Sequence, residues 1–298
     1  MLRRLFLCLL LPLSGYAQTT YQGTVSDAGS QLPVAFATVG LMKENTGTTT
    51  GEDGHFNLAT SKPQPGDTLL FTALGYQSQK IATPAFSGKV ALVKDVREIG
   101  EVSISPKPLL QNAVLNKNGK RSNASYTSSG YISQIAQRFT APALPALLTA
   151  VQIRKLHIPI FVSGNGVFRL RIYGLNPETG GPGEDLCTQS IEVKANGSKV
   201  DIDLKPYRIF LPQKDFFVAV EWLKIPANED WYTVKENGKK VRRFGGYWPF
   251  IEFSRNETAE NNMWHQLYNG EWRKMPYRMN PMLRKEATNF AIEAQVRY

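Results

Sequence analysis

Apolar and polar residues alternate with a period of two along much of this 298-residue chain, between short turn-forming segments. The last strand-like run shows the pattern to its end, with Phe290, Ile292, Ala294, Val296 and Tyr298 on one side. Because successive side chains of a strand point to opposite faces, this alternation predicts strands with one buried face. The sequence therefore predicts an all-β protein built from many short strands.

The first seventeen residues are expected to be an export signal and no part of the fold. Arg3 and Arg4 precede the apolar run 5–13, and small residues follow at 15 and 17. A charged start, a short apolar run and small residues before the cleavage point are typical of a secretory signal peptide. We therefore expect an exported protein whose mature chain begins at Gln18.

Composition argues against most catalytic and metal chemistry. The chain has three histidines and two cysteines, and Cys187 is the one cysteine outside the predicted signal. We expect Cys187 to be a small buried apolar residue, because no partner histidine can be argued for it. No nucleophile, phosphate-binding or dinucleotide-binding motif is found. The net charge is +10, but the sequence contains no recognised nucleic-acid-binding motif. The sequence thus predicts no catalytic residues, no cofactor, no metal and no nucleic-acid partner.

Residues 18–105 are expected to form a small β-sandwich. Val39 and Leu41 are two positions apart, as are Leu69 and Phe71, so each pair lies on one side of a strand. This spacing is typical of strands that are buried on one face. Turn-forming residues at 45–54 and 63–67 separate these runs.

Four blocks in this region resemble the carboxypeptidase-regulatory-like domain. They are GTVSD at 23–27, LPVAFATV at 32–39, TGEDGHFNL at 50–58 and GDTLLFTALGYQ at 66–77. The resemblance implies a transthyretin-like, seven-stranded β-sandwich, a module often found at the start of exported Gram-negative envelope proteins. It implies no peptidase activity, because the module is named for its position beside a catalytic domain that is missing here. On this basis we expect the protein in the periplasm, the outer membrane or at the cell surface.

The remaining chain divides into a linker and a second domain. Residues 106–136 are rich in polar and turn-forming residues, which predicts an extended linker with a short helix near 109–115. Residues 137–298 alternate again and predict a larger, jelly-roll-like β-sandwich. The segments 200–211 and 215–223 are also similar to exported proteins in which a jelly roll follows the regulatory-like module.

The tryptophans define one candidate site. All five lie between positions 222 and 272. We predict that Trp264, Gln266 and Tyr268 share a strand face and that a turn at Asn269-Gly270 brings Trp272 back beside them. Aromatic faces beside amides suit sugar rings, which have apolar faces and hydroxyl rims. The alternative interpretation is that these aromatic residues fill the sandwich core.

A basic hairpin is the second candidate. Its turn is predicted at Asn237-Gly238, and the cations that follow are Lys239, Lys240, Arg242 and Arg243. These side chains could contact an anionic surface, or they could form an ordinary solvated face.

These observations favour a non-catalytic, exported cell-envelope protein that acts as a binding or interaction module. The expected partner is an envelope protein or a surface polysaccharide, and the protein is expected to be peripheral to a membrane at most. One alternative is a carbohydrate-binding protein that uses the Trp-rich segment 222–272. A glycan hydrolase also stays open, because its two carboxylates need no fixed spacing in sequence.

Overall fold

A computed structural model describes residues 18–95, 109–117, 124–128, 130–154, 166–195, 197–254, 261–275 and 289–298. The predicted signal peptide therefore lies outside the described residues. Regular structure in the described part is β-strand, apart from short 3-10 turns at Thr83–Ala85, Lys205–Tyr207 and Pro226–Asn228. This confirms the all-β prediction. Within the same ranges, no helix has the length and apolar character needed to cross a membrane.

The first domain is a sandwich of two sheets. Its strands are β1 (Thr19–Asp27), β2 (Thr38–Leu41), β3 (Thr46–Thr49), β4 (His55–Thr60), β5 (Thr68–Thr72), β6 (Gln79–Ala82) and β7 (Lys89–Leu92). One sheet has the order β4-β1-β7 and the other β3-β2-β5-β6. Val39, Leu41, Leu69 and Phe71 are buried between the sheets, as their alternation predicts. The four-stranded sheet turns its other face toward the second domain.

The second part of the chain forms three further sheets. Its strands are β8 (Asn112–Leu115), β9 (Ser125–Ser128), β10 (Ile132–Thr140), β11 (Ala146–Arg154), β12 (Gly166–Leu175), β13 (Pro182–Asp185), β14 (Ile191–Ala195), β15 (Lys199–Asp203), β16 (Ile209–Leu211), β17 (Asp215–Trp222), β18 (Glu229–Glu236), β19 (Lys239–Ser254), β20 (Met263–Leu267), β21 (Trp272–Lys274), β22 (Asn289–Phe290) and β23 (Ile292–Arg297). The largest sheet has the order β13-β12-β17-β10-β20-β21, with β14 also paired to β12. The second has the order β15-β11-β23-β8, with β16 on β11. The third has the order β18-β19-β22, with β9 on β19.

Strand β17 shows how these sheets are layered. Phe216, Val218 and Val220 belong to a core shared with β11 and β23 of the second sheet. On the opposite face, Phe217 and Ala219 are equally buried, in a separate cluster with Tyr173 and Trp264. A strand that is covered on both faces loses the clean polar alternation, which explains its continuous apolar sequence. The β-sandwich is thus observed, while the jelly-roll connectivity stays a prediction.

The described residues of the predicted linker are mostly strand. Strands β8 and β9 and the start of β10 lie within 106–136, and β8 pairs with β23. The short helix predicted near 109–115 is therefore wrong. Asn116 explains part of this difference, since its amide donates hydrogen bonds to the carbonyls of Phe290 and Ile292 at 3.1 and 2.7 Å. These contacts connect positions distant in sequence, which a local pattern does not reveal.

Candidate binding cleft between the two domains

Two paired glycines allow the domains to approach closely. Gly40 on β2 lies opposite Gly47 on β3, and both face Tyr268 of the second domain. A Cβ atom on Gly47 would lie 2.1 Å from Cδ1 of Tyr268, and one on Gly40 would lie 2.4 Å from its carbonyl oxygen. The missing side chains therefore make room for Tyr268, which is 2% exposed.

A buried lysine lies beside Tyr268. The Nζ atom of Lys224 donates hydrogen bonds to the carbonyls of Gly47, at 3.3 Å, and Gly130, at 2.5 Å. It also lies 4.4 Å from the ring centre of Tyr268 and 5.4 Å from that of Tyr247. Carbonyl oxygens and aromatic faces both attract a cation. Burial nevertheless lowers the pKa of Lys224 to about 7, because no carboxylate in the described residues forms an ion pair with it.

Lys224 should make stability depend on pH. The unfolded chain, with an ordinary lysine pKa of 10.5, holds a proton that the folded protein releases near 7. The free energy of unfolding should therefore rise between pH 7 and 9, by up to about 1.4 kcal/mol per pH unit. Urea titrations should show this slope in the native protein and in Lys194→Met, which changes an exposed lysine. Lys224→Met should lose the slope, and a flat native profile would contradict the assignment.

A buried ion-pair network around Glu221 also lies at the domain interface. Glu221 accepts hydrogen bonds from Arg169 at 3.4 Å, from Arg171 at 3.2 Å and from Thr38 of the first domain at 3.0 Å. Arg169 also donates to the carbonyl of Phe36 at 3.2 Å. Glu221 and Arg169 therefore each form a hydrogen bond with the first domain. Burial opposes ionisation of Glu221, but the two guanidinium groups outweigh it and hold its pKa below the usual value. The network therefore joins the two domains.

Arg171 extends the network into an open cleft. Its Nε atom donates a hydrogen bond to Asp185, and its Cζ atom lies 5.5 Å from the ring centre of Tyr173. Burial raises the pKa of Asp185, and the charge of Arg171 only partly offsets that effect. The cleft has a volume of about 410 Å³. The first domain supplies a wall that includes 72–76, and the second supplies Arg171, Tyr173, Asp185, Glu221 and the turn between β20 and β21.

A chain of hydrogen bonds runs along the wall formed by the second domain. The Tyr173 hydroxyl donates to Oε1 of Gln134 at 2.9 Å, and the Gln134 amide donates to Oε1 of Gln266 at 2.9 Å. The Gln266 amide then donates to the carbonyl of Gly270 at 3.2 Å. Trp272 packs edge-on against Tyr173, with 5.5 Å between ring centres. The amides are thus held in place beside an indole that is half-buried.

Three of the four predicted ligand-binding residues line this cleft: Gln266, Tyr268 and Trp272. The predicted hairpin is confirmed, since β20 pairs with β21 and Gly270 adopts a φ of +87° in the turn. Tyr268 lies just after β20, and no hydrogen-bond partner is found for its buried hydroxyl among the described residues. The fourth residue, Trp264, is 9% exposed and packs against Phe217.

The five tryptophans divide between the two interpretations. Trp222, Trp248 and Trp264 are buried, in agreement with the interpretation that these aromatic residues fill the core. Trp231 and Trp272 keep exposed surface. The four predicted basic residues, Lys239, Lys240, Arg242 and Arg243, lie on the β18–β19 hairpin, away from the residues that line the cleft. Its turn is as predicted, with positive φ at Asn237 and Gly238.

Sequence reasoning missed Arg171, Glu221 and the whole wall from the first domain. One feature of the sequence could have indicated Arg171 and Glu221. Charged residues interrupt β12 and β17, two strands that are otherwise mostly apolar. A charge within a buried strand needs a partner. The sequence did not show which partner, since the Thr38 hydroxyl comes from another domain.

Among the described residues that line the cleft, no activated nucleophile is found. Cys187 lines it and is buried, as predicted, and its thiol donates to the carbonyl of Gln189 at 3.3 Å. Burial raises the pKa of Cys187, opposite to the shift that activates a thiolate. Within the described ranges, no group of three or more His, Cys, Asp or Glu side chains is arranged to hold a metal ion. His157 lies outside those ranges.

Comparisons with known proteins identify the first domain. Residues 21–104 match the model of the CarboxypepD_reg-like domain. No curated protein matches the chain. Among solved structures, the clostridial cysteine protease Cwp84 after propeptide cleavage is similar over 93% of this chain and 70% of its own, at 10% identity. The TM-score of this match is 0.40. The N-terminal part of this chain is thus a CarboxypepD_reg-like domain with the fold of a β-sandwich.

Proposed function

We propose that this protein is a non-catalytic, exported cell-envelope protein that binds an uncharged saccharide in the cleft between its two domains. The observation that carries the proposal is the meeting of Gln266, Tyr268 and Trp272 with a polar wall in one cavity. Export is supported by the charged and apolar order of residues 1–17. The ligand would be part of a surface polysaccharide.

The chemistry of the cleft suits a sugar ring. A pyranose has apolar C–H faces, which stack on aromatic rings, and a rim of hydroxyl groups, which both donate and accept hydrogen bonds. Trp272 offers the aromatic surface. The amide of Gln266 and the guanidinium of Arg171 are already oriented by their own partners, so little side-chain entropy is lost on binding.

The first domain contributes directly to this site. Residues 72–76 line the cleft together with the β20–β21 turn. Glu221 and Lys224 of the second domain are joined to the first domain by hydrogen bonds with Thr38, Thr49 and Gly47. The regulatory-like module would therefore shape the ligand site. An envelope protein as the partner is the alternative that the same cleft must be tested against.

A glycan hydrolase is the second candidate, and two carboxylates favour it. Asp185 and Glu221 both line the cleft, and their pKa values are shifted in opposite directions. A glycosidase uses one protonated and one ionised carboxyl group. However, Arg171 binds both groups, which satisfies them as an ion-pair network. We therefore favour saccharide binding over hydrolysis as the function of the cleft.

A screen of uncharged glycans against the purified protein tests the proposal. At least one glycan should raise the melting temperature, and Trp272→Ala should weaken its binding at least tenfold, because the stacking surface is lost. Trp231→Ala is the matched control, since this exposed tryptophan lies on the β18–β19 hairpin. Saccharide binding in the cleft would be contradicted if no glycan bound to the protein, or if Trp272→Ala and Trp231→Ala lost equal affinity. Release of reducing ends that Asp185→Asn abolishes would establish the hydrolase instead.

A further inference from the structure

The β18–β19 hairpin has two chemically different faces. Residues that pair across antiparallel strands share a face, and the face changes at each step along the strand. One face, which we name the cationic face, contains Trp231, Thr233, Lys235, Lys240, Arg242 and Phe244. The other contains Tyr232, Val234, Glu236, Lys239, Val241 and Arg243. The four basic residues singled out in the sequence therefore do not form one patch.

The second face carries less net positive charge. Glu236 accepts two hydrogen bonds from Nη2 of Arg243, at 2.8 and 2.7 Å, and lies directly opposite Lys239. One carboxylate offsets one of the two cations, so this face attracts an external anion less strongly than three unpaired cations would.

The cationic face is different. Among the described residues, no carboxylate forms an ion pair with Lys235, Lys240 or Arg242. The guanidinium of Arg242 lies 5.1 Å from the ring centre of Trp231, which is 40% exposed and itself 5.3 Å from the ring of Phe244. Stacking on an indole restricts the side chain of Arg242 and leaves its N–H groups free for an oxyanion. The face thus presents one oriented guanidinium and two flexible ammonium groups.

We propose that the cationic face binds an anionic polysaccharide, whose carboxylate, phosphate or sulfate groups contact Arg242, Lys240 and Lys235. A sugar ring would lie against the exposed part of Trp231. Positions two residues apart on a strand are separated by about 7 Å, so neighbouring cations can contact successive charged groups of one polymer. This site is separate from the cleft and takes an anionic ligand, whereas the cleft takes an uncharged one.

The arrangement favours a polysaccharide over an anionic bilayer. The tip of the hairpin is polar, with Glu236, Asn237, Gly238 and Lys239, while Trp231 lies toward its base. Inserting the indole into a bilayer would require burying that charged tip, at a large desolvation cost. The indole N–H also donates to Glu229 at 2.9 Å, which orients the ring.

Two variants of equal charge test the proposal. Lys240→Gln/Arg242→Gln removes two cations from the cationic face, and Lys239→Gln/Arg243→Gln removes two from the opposite face. Binding of the full chain to heparin and to polygalacturonate is measured over a range of salt concentrations, with uncharged dextran and phosphatidylglycerol vesicles in parallel. The first variant should lose at least tenfold in affinity for one of the polyanions, and the second less than threefold. Trp231→Ala should also weaken that binding.

Three results would overturn the inference. Equal losses in the two double variants would mean that net charge alone attracts the polymer. No binding to either polyanion would remove the site. Binding to the vesicles with a blue shift of tryptophan emission, lost in Trp231→Ala, would assign the face to a membrane surface. None of these results depends on Trp272 or on the uncharged glycans that test the cleft.

Discussion

Glu221→Ala should lower the free energy of unfolding by about 3–5 kcal/mol. The substitution leaves Arg169, whose side chain is 4% exposed, and Arg171 buried without their shared carboxylate. It also removes the acceptor of the Thr38 hydroxyl, so that a contact between the domains is lost. Removing one partner of a buried ion pair costs far more than the pair contributes, because the remaining charge stays desolvated.

Chemical denaturation of the two proteins at one pH measures this effect. Glu236→Ala is the matched control, because it breaks an ion pair with Arg243 in which both side chains are exposed. Exposed pairs contribute about 0–1 kcal/mol, so the control should change little. A loss of less than 1 kcal/mol in Glu221→Ala would mean that water reaches the network and that the domains are not docked through it.

Gly47→Ala should destabilise the protein by about 1–3 kcal/mol through overpacking at the domain interface. The new Cβ atom would lie 2.1 Å from Cδ1 of Tyr268, and that residue is 2% exposed, so its ring has little room to move away. The first domain can keep its own core, since Gly47 faces outward from it. We therefore expect the interface to open, with a larger radius of gyration in small-angle scattering.

A double-mutant cycle isolates the cause. In Gly47→Ala/Tyr268→Ala the overlap is removed, so the second substitution should cost much less in the Gly47→Ala background than in the native one. Gly29→Ala is the control, because its Cβ atom would meet only the Asp27 carboxylate, at 3.4 Å. Additive effects of the two substitutions would contradict the contact between Gly47 and Tyr268.

Local alternation predicted those parts of the fold that depend on a single strand or hairpin. The β20–β21 hairpin and the turn at Asn237-Gly238 both follow from a few neighbouring residues. Strand β8 does not, because it has four residues, none fully buried, and is held by pairing with β23 more than 170 residues away. Its sequence alone is compatible with a linker.

The site was predictable on one side only. Gln266 and Trp272 could be placed together, because a tight turn joins their strands. The opposite wall depends on which face of the first domain contacts the second, and that face is determined by the fit of Tyr268 onto Gly40 and Gly47. Glycines inside two strands were the available signal, since they weaken a strand unless another group needs close approach.

Hydrogen exchange with and without the tightest-binding uncharged glycan tests the central claim, a ligand site shared by both domains. Bound glycan should slow amide exchange in two separate segments, around 72–76 of the first domain and around 266–272 of the second. Both segments border the cleft, so one ligand in it must protect them together. Protection of only one segment, or of the hairpin around 231–244 alone, would contradict the account.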